Sequence, residues 1–160
     1  METMTDKSKV LHASVKLVND RLKFAGLVDN NEPVSIDYIA PLGDNSGYTS
    51  LELLLLSLNS CIGSAVLTFL RKMKKTITGC EIHATGLRNE DHPTGFKHIS
   101  LNISIDSPDV TDAEMNKVIQ MSEDKYCPVW AMLKGNVEIE ISYTIRERIS
   151  EPIVLKTGSN

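Results

Sequence analysis

Cys61 and Cys127 are the residues of this chain whose types and settings are most suited to chemistry. Cys61 lies in a long apolar segment, but three serines lie close to it, which is an unusual setting for an inert core cysteine. Cys127 lies in the run Tyr126-Cys127-Pro128-Val129, where proline interrupts a predicted helix. These two thiols suggest a redox pair. The third cysteine, Cys80, has no polar partner nearby in sequence and is interpreted as structural.

The helix that carries Cys61 allows two interpretations of that thiol. Helical spacing places five small or polar side chains on one face: Ser57, Ser60, Cys61, Ser64 and Thr68. Such a stripe lets a second helix approach closely, with Cys61 as a small filler. It also leaves room for a substrate beside a thiol. Cys127 likewise allows two interpretations, as a redox partner or as a buried cap residue. The first requires contact with Cys61, because a disulfide needs Cα atoms within about 7 Å.

Length and charge restrict the class of protein. The 160 residues are 41% hydrophobic and carry a net charge of −4, which predicts one domain over residues 1–160 with a loose tail at 151–160. The acidic balance disfavours a nucleic-acid partner. The first residues show no signal-peptide pattern, and three cysteines do not form a secreted disulfide framework. We therefore expect a cytoplasmic protein.

The predicted elements follow the order strands, long apolar helix, strands, helix and strand, which is typical of an α+β fold. Alternating apolar and polar residues predict strands at 10–17, 21–29, 34–39, 80–88, 98–106 and 137–145. Capping boxes beginning at Thr49 and Thr111 predict the starts of two helices, the first running to about Lys72. Pro128 interrupts the second helix, and a short turn over 130–133 is predicted to follow.

Residues 53–70 are uncharged over a length that would span a bilayer. Serines, an asparagine, a threonine and a glycine interrupt this stretch, and the predicted strands on both sides argue against a single-span anchor. We expect a helix buried on nearly every side in a soluble protein. A homodimer is the expected means of covering it, and no membrane partner is predicted.

Three stretches of the sequence resemble the OsmC/organic hydroperoxide resistance family. They are residues 51–61, the Glu90-Asp91-His92-Pro93 loop and residues 122–129. The resemblance extends over roughly residues 21–145. It implies an OsmC-like fold with antiparallel curved sheets around a long buried central helix, in an intertwined homodimer. It also implies a thiol peroxidase site at the subunit interface, with Cys61 as the peroxidatic and Cys127 as the resolving cysteine.

The chemistry implied by this resemblance needs only two thiols. Cys61 would become a sulfenic acid, and Cys127 would condense with it to form a disulfide. The apolar surroundings favour organic hydroperoxides as substrates, and a dithiol of the lipoyl type is the implied reductant. No cofactor is implied, and no Cys/His group shows metal-ligand spacing.

Arg21 and Glu52 are the remaining catalytic candidates. The family's peroxidases lower the pKa of the attacking thiol with an arginine from an early strand, held by a glutamate at the start of the cysteine helix. Arg21 is the only early arginine, and Glu52 is the only acid near that helix start. Glu52 lies nine positions before Cys61, where the hydroperoxidase branch has its glutamate one residue earlier. A capping box with Thr49 is a sufficient alternative role for Glu52.

Two other functional hypotheses stay open from sequence. An OsmC-like protein can use an apolar dimer pocket to bind a small lipophilic or thiol ligand without turnover. A purely structural dimer with inert core thiols is the third interpretation, and it predicts that both cysteines resist modification in the native state.

Overall fold

The computed structural model describes residues 9–147 of the 160-residue chain. They belong to two compact units, one extending to Leu54 and the other beginning at Leu55. The architecture is mixed α+β, as predicted, and contains two three-stranded sheets. The expectation of antiparallel sheets is wrong for the second sheet, whose last strand pairs in parallel with its neighbour. The prediction of a single domain over 1–160 stays a prediction, and the predicted tail at 151–160 lies outside the described residues.

The first unit contains the predicted three-stranded antiparallel start. Its strands are β1 (Ser14–Leu17), β2 (Phe24–Leu27) and β3 (Val34–Ile36), paired in the order β1-β2-β3. Each strand is shorter than its alternating pattern predicts. The turn between β2 and β3 contains Asn30 at φ 63°, a left-handed conformation that asparagine tolerates.

Asp37 directly follows the third strand. Its side chain is 1% exposed and accepts hydrogen bonds from the N–H groups of Tyr38, Asp44 and Ser46 and from the Ser46 hydroxyl. A Cβ on Gly43 would collide with the Asp37 carboxylate and the Tyr38 backbone, so only glycine fits there. The loop after β3 is therefore wrapped around a buried carboxylate.

These hydrogen bonds determine the ionisation of Asp37. Desolvation raises the pKa of the carboxyl, but the donors outweigh it, first the Ser46 and Tyr38 N–H groups, and lower the pKa to about 2.

The second unit contains a sheet with mixed strand directions. Its strands are β4 (Gly79–Arg88), β5 (Phe96–Asp106) and β6 (Glu138–Arg146). β4 and β5 are antiparallel, whereas β6 runs parallel to β5 with Ile139 opposite Ile99. A parallel pair needs a crossover connection, which here consists of the helices α2 (Asp112–Met121) and α3 (Pro128–Leu133).

The core of the second unit is built from the apolar faces of β5 and the helices. Alternate residues of β5 are buried as the pattern predicts: Ile99, Leu101, Ile103 and Ile105. Buried helical residues include Leu58, Ile62, Val66, Leu70, Met115 and Val118. A Cβ on Gly63 would lie 2.7 Å from Ile82 Cδ1, so the absence of a side chain lets the helix approach β4 closely.

The long apolar helix is α1 (Ser50–Lys72), which begins at the predicted cap. Only one third of its apolar 18-residue window is buried within this chain. Leu56 is 48% exposed, and Ser57, Ser60 and Ser64 are exposed beside it. The prediction of burial on nearly every side thus does not hold for the single chain. Among the described residues α1 alone is long and apolar enough to cross a membrane, a property that core helices of soluble proteins share.

The crossover differs from its prediction at Pro128. The capping box at Thr111 is present, and α2 begins at Asp112 as expected. Residues Ser122–Tyr126 then form a π-helical turn, closed by a 2.9 Å hydrogen bond from the Cys127 N–H to the Ser122 carbonyl. Pro128 begins α3 instead of merely stopping α2, because a first helical residue needs no N–H donor.

Candidate active site

Cys61 and Cys127 meet in the second unit although 66 positions separate them. The Cys127 thiol donates to the Cys61 sulfur across 2.7 Å between the two Sγ atoms. Cys61 is half-buried on α1, whereas Cys127 is 1% exposed. The two residues that sequence analysis paired are thus in direct contact, with only one of them accessible to solvent.

Backbone interactions on both sides hold Cys127. Its N–H closes the π-helical turn, and its sulfur accepts a 3.3 Å hydrogen bond from the N–H of Trp130 as the N-cap of α3. The two interpretations of Cys127, as a cap residue and as a redox partner, are therefore compatible in one conformation.

Burial governs the protonation of Cys127. Desolvation, followed by the hydrogen bond to Cys61, raises the pKa of the Cys127 thiol above its ordinary value. Cys127 therefore remains a thiol at neutral pH and serves as the donor of the pair.

An aromatic pair connects the same two segments. The rings of Phe69, on α1, and Tyr126, next to Cys127, have centroids 4.6 Å apart at an interplanar angle of 60°. Lys72 Nζ lies 5.6 Å from the Phe69 ring centroid, and Lys125 Nζ lies 5.6 Å from that of Tyr126. The pair is thus flanked by two ammonium groups.

Arg21 belongs to the first unit, between β1 and β2. Its Nη1 lies 2.7 Å from Asp44 Oδ1 and donates to the Gly43 carbonyl across 3.3 Å. Both side chains of the ion pair are about half exposed. These partners tie the guanidinium to the loop that encloses Asp37.

Glu52 performs the capping role that sequence analysis proposed for it. Its Oε2 accepts from the Thr49 N–H at 2.7 Å and from the Thr49 hydroxyl at 2.9 Å. These bonds, first that of the N–H, lower the pKa of Glu52. Arg21 and Glu52 lie in the first unit and both thiols in the second, so the catalytic role of Arg21 and Glu52 stays a prediction.

Cys80 lies at an exposed position of β4. Within residues 9–147 no group of three or more His, Cys, Asp or Glu side chains is arranged to hold a metal ion.

The Phe69–Tyr126 contact was not predicted from the sequence. One signal was available, because Phe69 follows Cys61 by eight residues on the same helix and Tyr126 directly precedes Cys127. If the two thiols meet, the two rings are candidates to meet as well. The buried role of Asp37 had no comparable signal beyond its place before a loop containing Gly43 and Ser46.

Comparison with known proteins matches the sequence to a family. Residues 43–142 match the family described as OsmC-like protein, a range that includes both thiols and Glu52 but not Arg21. Protein YhfA of Escherichia coli (strain K12) is 30% identical over 135 residues, covering 84% of this chain and 98% of YhfA.

Solved structures share the fold. An OsmC-like protein from Mycoplasma pneumoniae has a TM-score of 0.74 at 20% identity, covering 87% of this chain and 99% of that one. An organic hydroperoxide resistance protein OsmC from Legionella pneumophila has a TM-score of 0.66 at 16% identity, covering 86% and 99%. The family match extends over more than half of the chain and agrees with the fold. This chain is a member of the OsmC-like protein family.

Proposed function

We propose that this chain is a cofactor-independent thiol peroxidase that reduces organic hydroperoxides with Cys61 and Cys127. The observation that carries the proposal is the 2.7 Å contact between a half-buried sulfur and a buried, protonated one. One thiol is accessible to a substrate, and the other is placed to react with its oxidised product.

The first step takes place at Cys61. Its thiolate attacks one oxygen of the hydroperoxide, an S–O bond forms, the O–O bond breaks, and the alkoxide leaves as an alcohol after taking a proton. Cys61 becomes a sulfenic acid. Cys127 does not compete as the nucleophile, because it is 1% exposed and its raised pKa keeps it protonated.

The second step uses Cys127. Its sulfur attacks the Cys61 sulfenic acid, the S–S bond forms, and the hydroxyl leaves with the thiol proton as water. A dithiol then reduces the disulfide by two exchanges and is itself oxidised to a cyclic disulfide. We propose a dithiol of the lipoyl type for this role.

The surroundings of the thiols support an organic substrate. Apolar side chains, including Leu56 on α1 and the buried Trp130 on α3, lie along the elements that carry the two cysteines. An alkyl or aryl group gains free energy when it leaves water for such a surface. The name of the Legionella protein, an organic hydroperoxide resistance protein, supports the same class of substrate.

We also propose that the active species is a cytoplasmic homodimer. Seven large apolar side chains among the described residues of the first unit are more than half exposed: Val10, Leu11, Val15, Leu17, Val18, Ile39 and Leu42. A groove of about 370 Å³ beside them is lined by residues that include Val15, Leu27 and Val34. This much exposed apolar surface marks an interface, and a second copy is the proposed occupant.

The oligomeric state has a direct test. Sedimentation of the wild type at micromolar concentration should show a dimer, and a Val15→Lys, Leu17→Lys double variant should sediment as a monomer. His83→Lys, on the exposed face of β4, is the control and should leave the dimer intact. A wild-type monomer would contradict the proposal. Cell fractionation of the native protein tests its location.

The peroxidase proposal is tested by counting thiols. In a Cys80→Ser background, one equivalent of cumene hydroperoxide should remove both remaining thiols, as read by alkylation and intact mass. Cys127→Ser should retain a sulfenic acid on Cys61 that dimedone traps, and Cys61→Ser should not react. Unchanged thiols in a folded wild type would overturn the proposal.

The contacts of Arg21 and Glu52 favour one second candidate, a binder without turnover. Both side chains have partners within the first unit that explain them without chemistry. Steady-state turnover with cumene hydroperoxide and dihydrolipoamide separates the candidates. A binder would show no turnover, and its affinity for an apolar ligand would survive Cys61→Ser.

A further inference from the structure

We infer that the contact between Phe69 and Tyr126 positions the resolving thiol, and this inference rests on the proposed peroxidase function. Tyr126 and Cys127 are adjacent, and each touches α1, Tyr126 through Phe69 and Cys127 through Cys61. The rings therefore form a second attachment point for the segment that delivers the Cys127 sulfur.

The two α1 residues that contact this segment are well separated along the helix. Phe69 lies eight residues after Cys61, which is about 12 Å along a helix axis. Attachment to two α1 residues this far apart restrains both the position and the direction of the segment relative to α1. The thiol contact alone would attach the segment to α1 at a single point.

The hydrogen bonds of Cys127 to Ser122 and Trp130 fix its local conformation, but neither attaches the segment to α1. The segment itself is a single π-helical turn followed by a helix of six residues. Side-chain contacts with α1 therefore determine how the sulfur lies against Cys61. Lys72 and Lys125, each placed over one ring, reinforce the pair through cation–π attraction.

The chemical step that depends on this placement is disulfide formation. Cys127 replaces the hydroxyl of the Cys61 sulfenic acid, an S–S bond forms, an S–O bond breaks, and water leaves. The attack of Cys61 on the hydroperoxide precedes this step and does not need Cys127. Loss of the ring contact should therefore slow the second step and leave the first unchanged.

The test separates the two steps in rapid-mixing experiments. Phe69→Leu removes the ring while keeping an apolar side chain. We expect disulfide formation to slow at least about tenfold, because small misplacements of reacting groups are costly. Dimedone should then trap Cys61 sulfenic acid, while the rate of hydroperoxide consumption in the first turnover stays within twofold. Phe69→Tyr, which keeps a ring, should restore wild-type disulfide formation.

A matched control distinguishes positioning from general destabilisation. Phe96, at the start of β5, is 9% exposed and outside the thiol segment, so Phe96→Leu makes the same truncation elsewhere. It should lower the melting temperature without extending the lifetime of the sulfenic acid. An unchanged lifetime in Phe69→Leu, or an equal change in Phe96→Leu, would overturn the inference.

A second readout works without peroxidase activity. Glutathione disulfide oxidises the pair through a mixed disulfide, and closure of the Cys61–Cys127 bond is followed by intact mass. Slow closure in Phe69→Leu but not in Phe96→Leu supports positioning even if hydroperoxides fail to react. If glutathione disulfide oxidises the thiols and hydroperoxide does not, the peroxidase proposal is contradicted. If the Cys61–Cys127 bond closes at the same rate in Phe69→Leu and in the wild type, the inference about the ring contact is contradicted.

Discussion

Arg21 Nη1 and Asp44 Oδ1 form an ion pair of 2.7 Å, and the Asp44 N–H donates in turn to the buried Asp37 carboxylate. The guanidinium therefore belongs to the structure of a loop, whatever else it does. Because both side chains of the pair are about half exposed, the pair contributes at most about 1 kcal/mol to stability.

Two variants separate the observed structural role of Arg21 from the catalytic role predicted for it. Arg21→Gln removes the guanidinium and the ion pair, whereas Asp44→Asn removes the ion pair alone. If Arg21 supplies positive charge to the peroxidatic thiolate, as the family resemblance implies, Arg21→Gln should lower kcat/KM about 100-fold. Asp44→Asn should stay within threefold of the wild type. Equal kcat/KM values for the two variants would show that Arg21 only stabilises the loop.

Asp37 predicts a defined acid sensitivity. Its pKa is about 2 in the folded chain against an ordinary 3.8, so its stabilising effect is complete above pH 3.8 and disappears as the pH falls through 2. Asp37→Asn places an amide opposite N–H donors. It should lower the melting temperature by several degrees at pH 7 and flatten its decline between pH 4 and 2.

Calorimetry over this pH range provides the check. Lowered pKa values are also found for Glu52, Asp109 and Glu114, so these groups contribute to the acid sensitivity of both proteins. The diagnostic quantity is therefore the difference in melting temperature between wild type and Asp37→Asn at each pH. The exposed Asp20 provides a control in Asp20→Asn. If the melting temperatures of wild type and Asp37→Asn differ by the same amount at every pH, the lowered pKa of Asp37 does not cause the acid sensitivity.

The cap at Cys127 predicts different stabilities for two substitutions. Serine retains an acceptor for the Trp130 N–H, whereas alanine leaves that donor without its partner. Cys127→Ala should therefore reduce the free energy of unfolding by about 1 kcal/mol relative to Cys127→Ser. Urea unfolding of the two reduced variants measures this difference, and identical midpoints would show that the cap has no energetic role.

The burial of Cys127 predicts an order of alkylation. Iodoacetamide should label Cys61 in the reduced native protein and leave Cys127 unlabelled between pH 7 and 9, because Cys127 is buried and its pKa is raised. Denaturant should expose Cys127 to the reagent. Peptide mass mapping gives the order, and labelling of both thiols at similar rates would contradict the asymmetry.

Local patterns predicted the elements that depend on local physics. Every second residue of β5 from Ile99 to Ile105 is buried, so alternation was sufficient to find that strand. Both capping boxes placed their helix starts correctly, since the box is completed within four residues. The settings of Cys61 and Cys127 suggested a redox pair and the family resemblance implied their roles, but spacing carries no information on contacts 66 positions apart.

Features that depend on distant partners were not predicted. Alternation continues past Ile36, but the donors that draw Asp37 out of the strand come from residues up to nine positions later. The parallel direction of β6 depends on the crossover, and an alternating pattern has no direction. The π-helical turn depends on one backbone hydrogen bond to Ser122 that leaves no mark on residue types.

The separation of 66 positions between the two thiols has a thermodynamic consequence. A bond between them would close a covalent ring that contains part of α1, the β4–β5 hairpin and α2. Such a ring restricts the denatured chain by about 4 kcal/mol in a loop-entropy treatment. Melting temperature would then report the oxidation state. By linkage, the folded chain would stabilise the sulfur–sulfur bond by the same free energy relative to the unfolded chain, so a reductant would break this bond less readily in the folded protein.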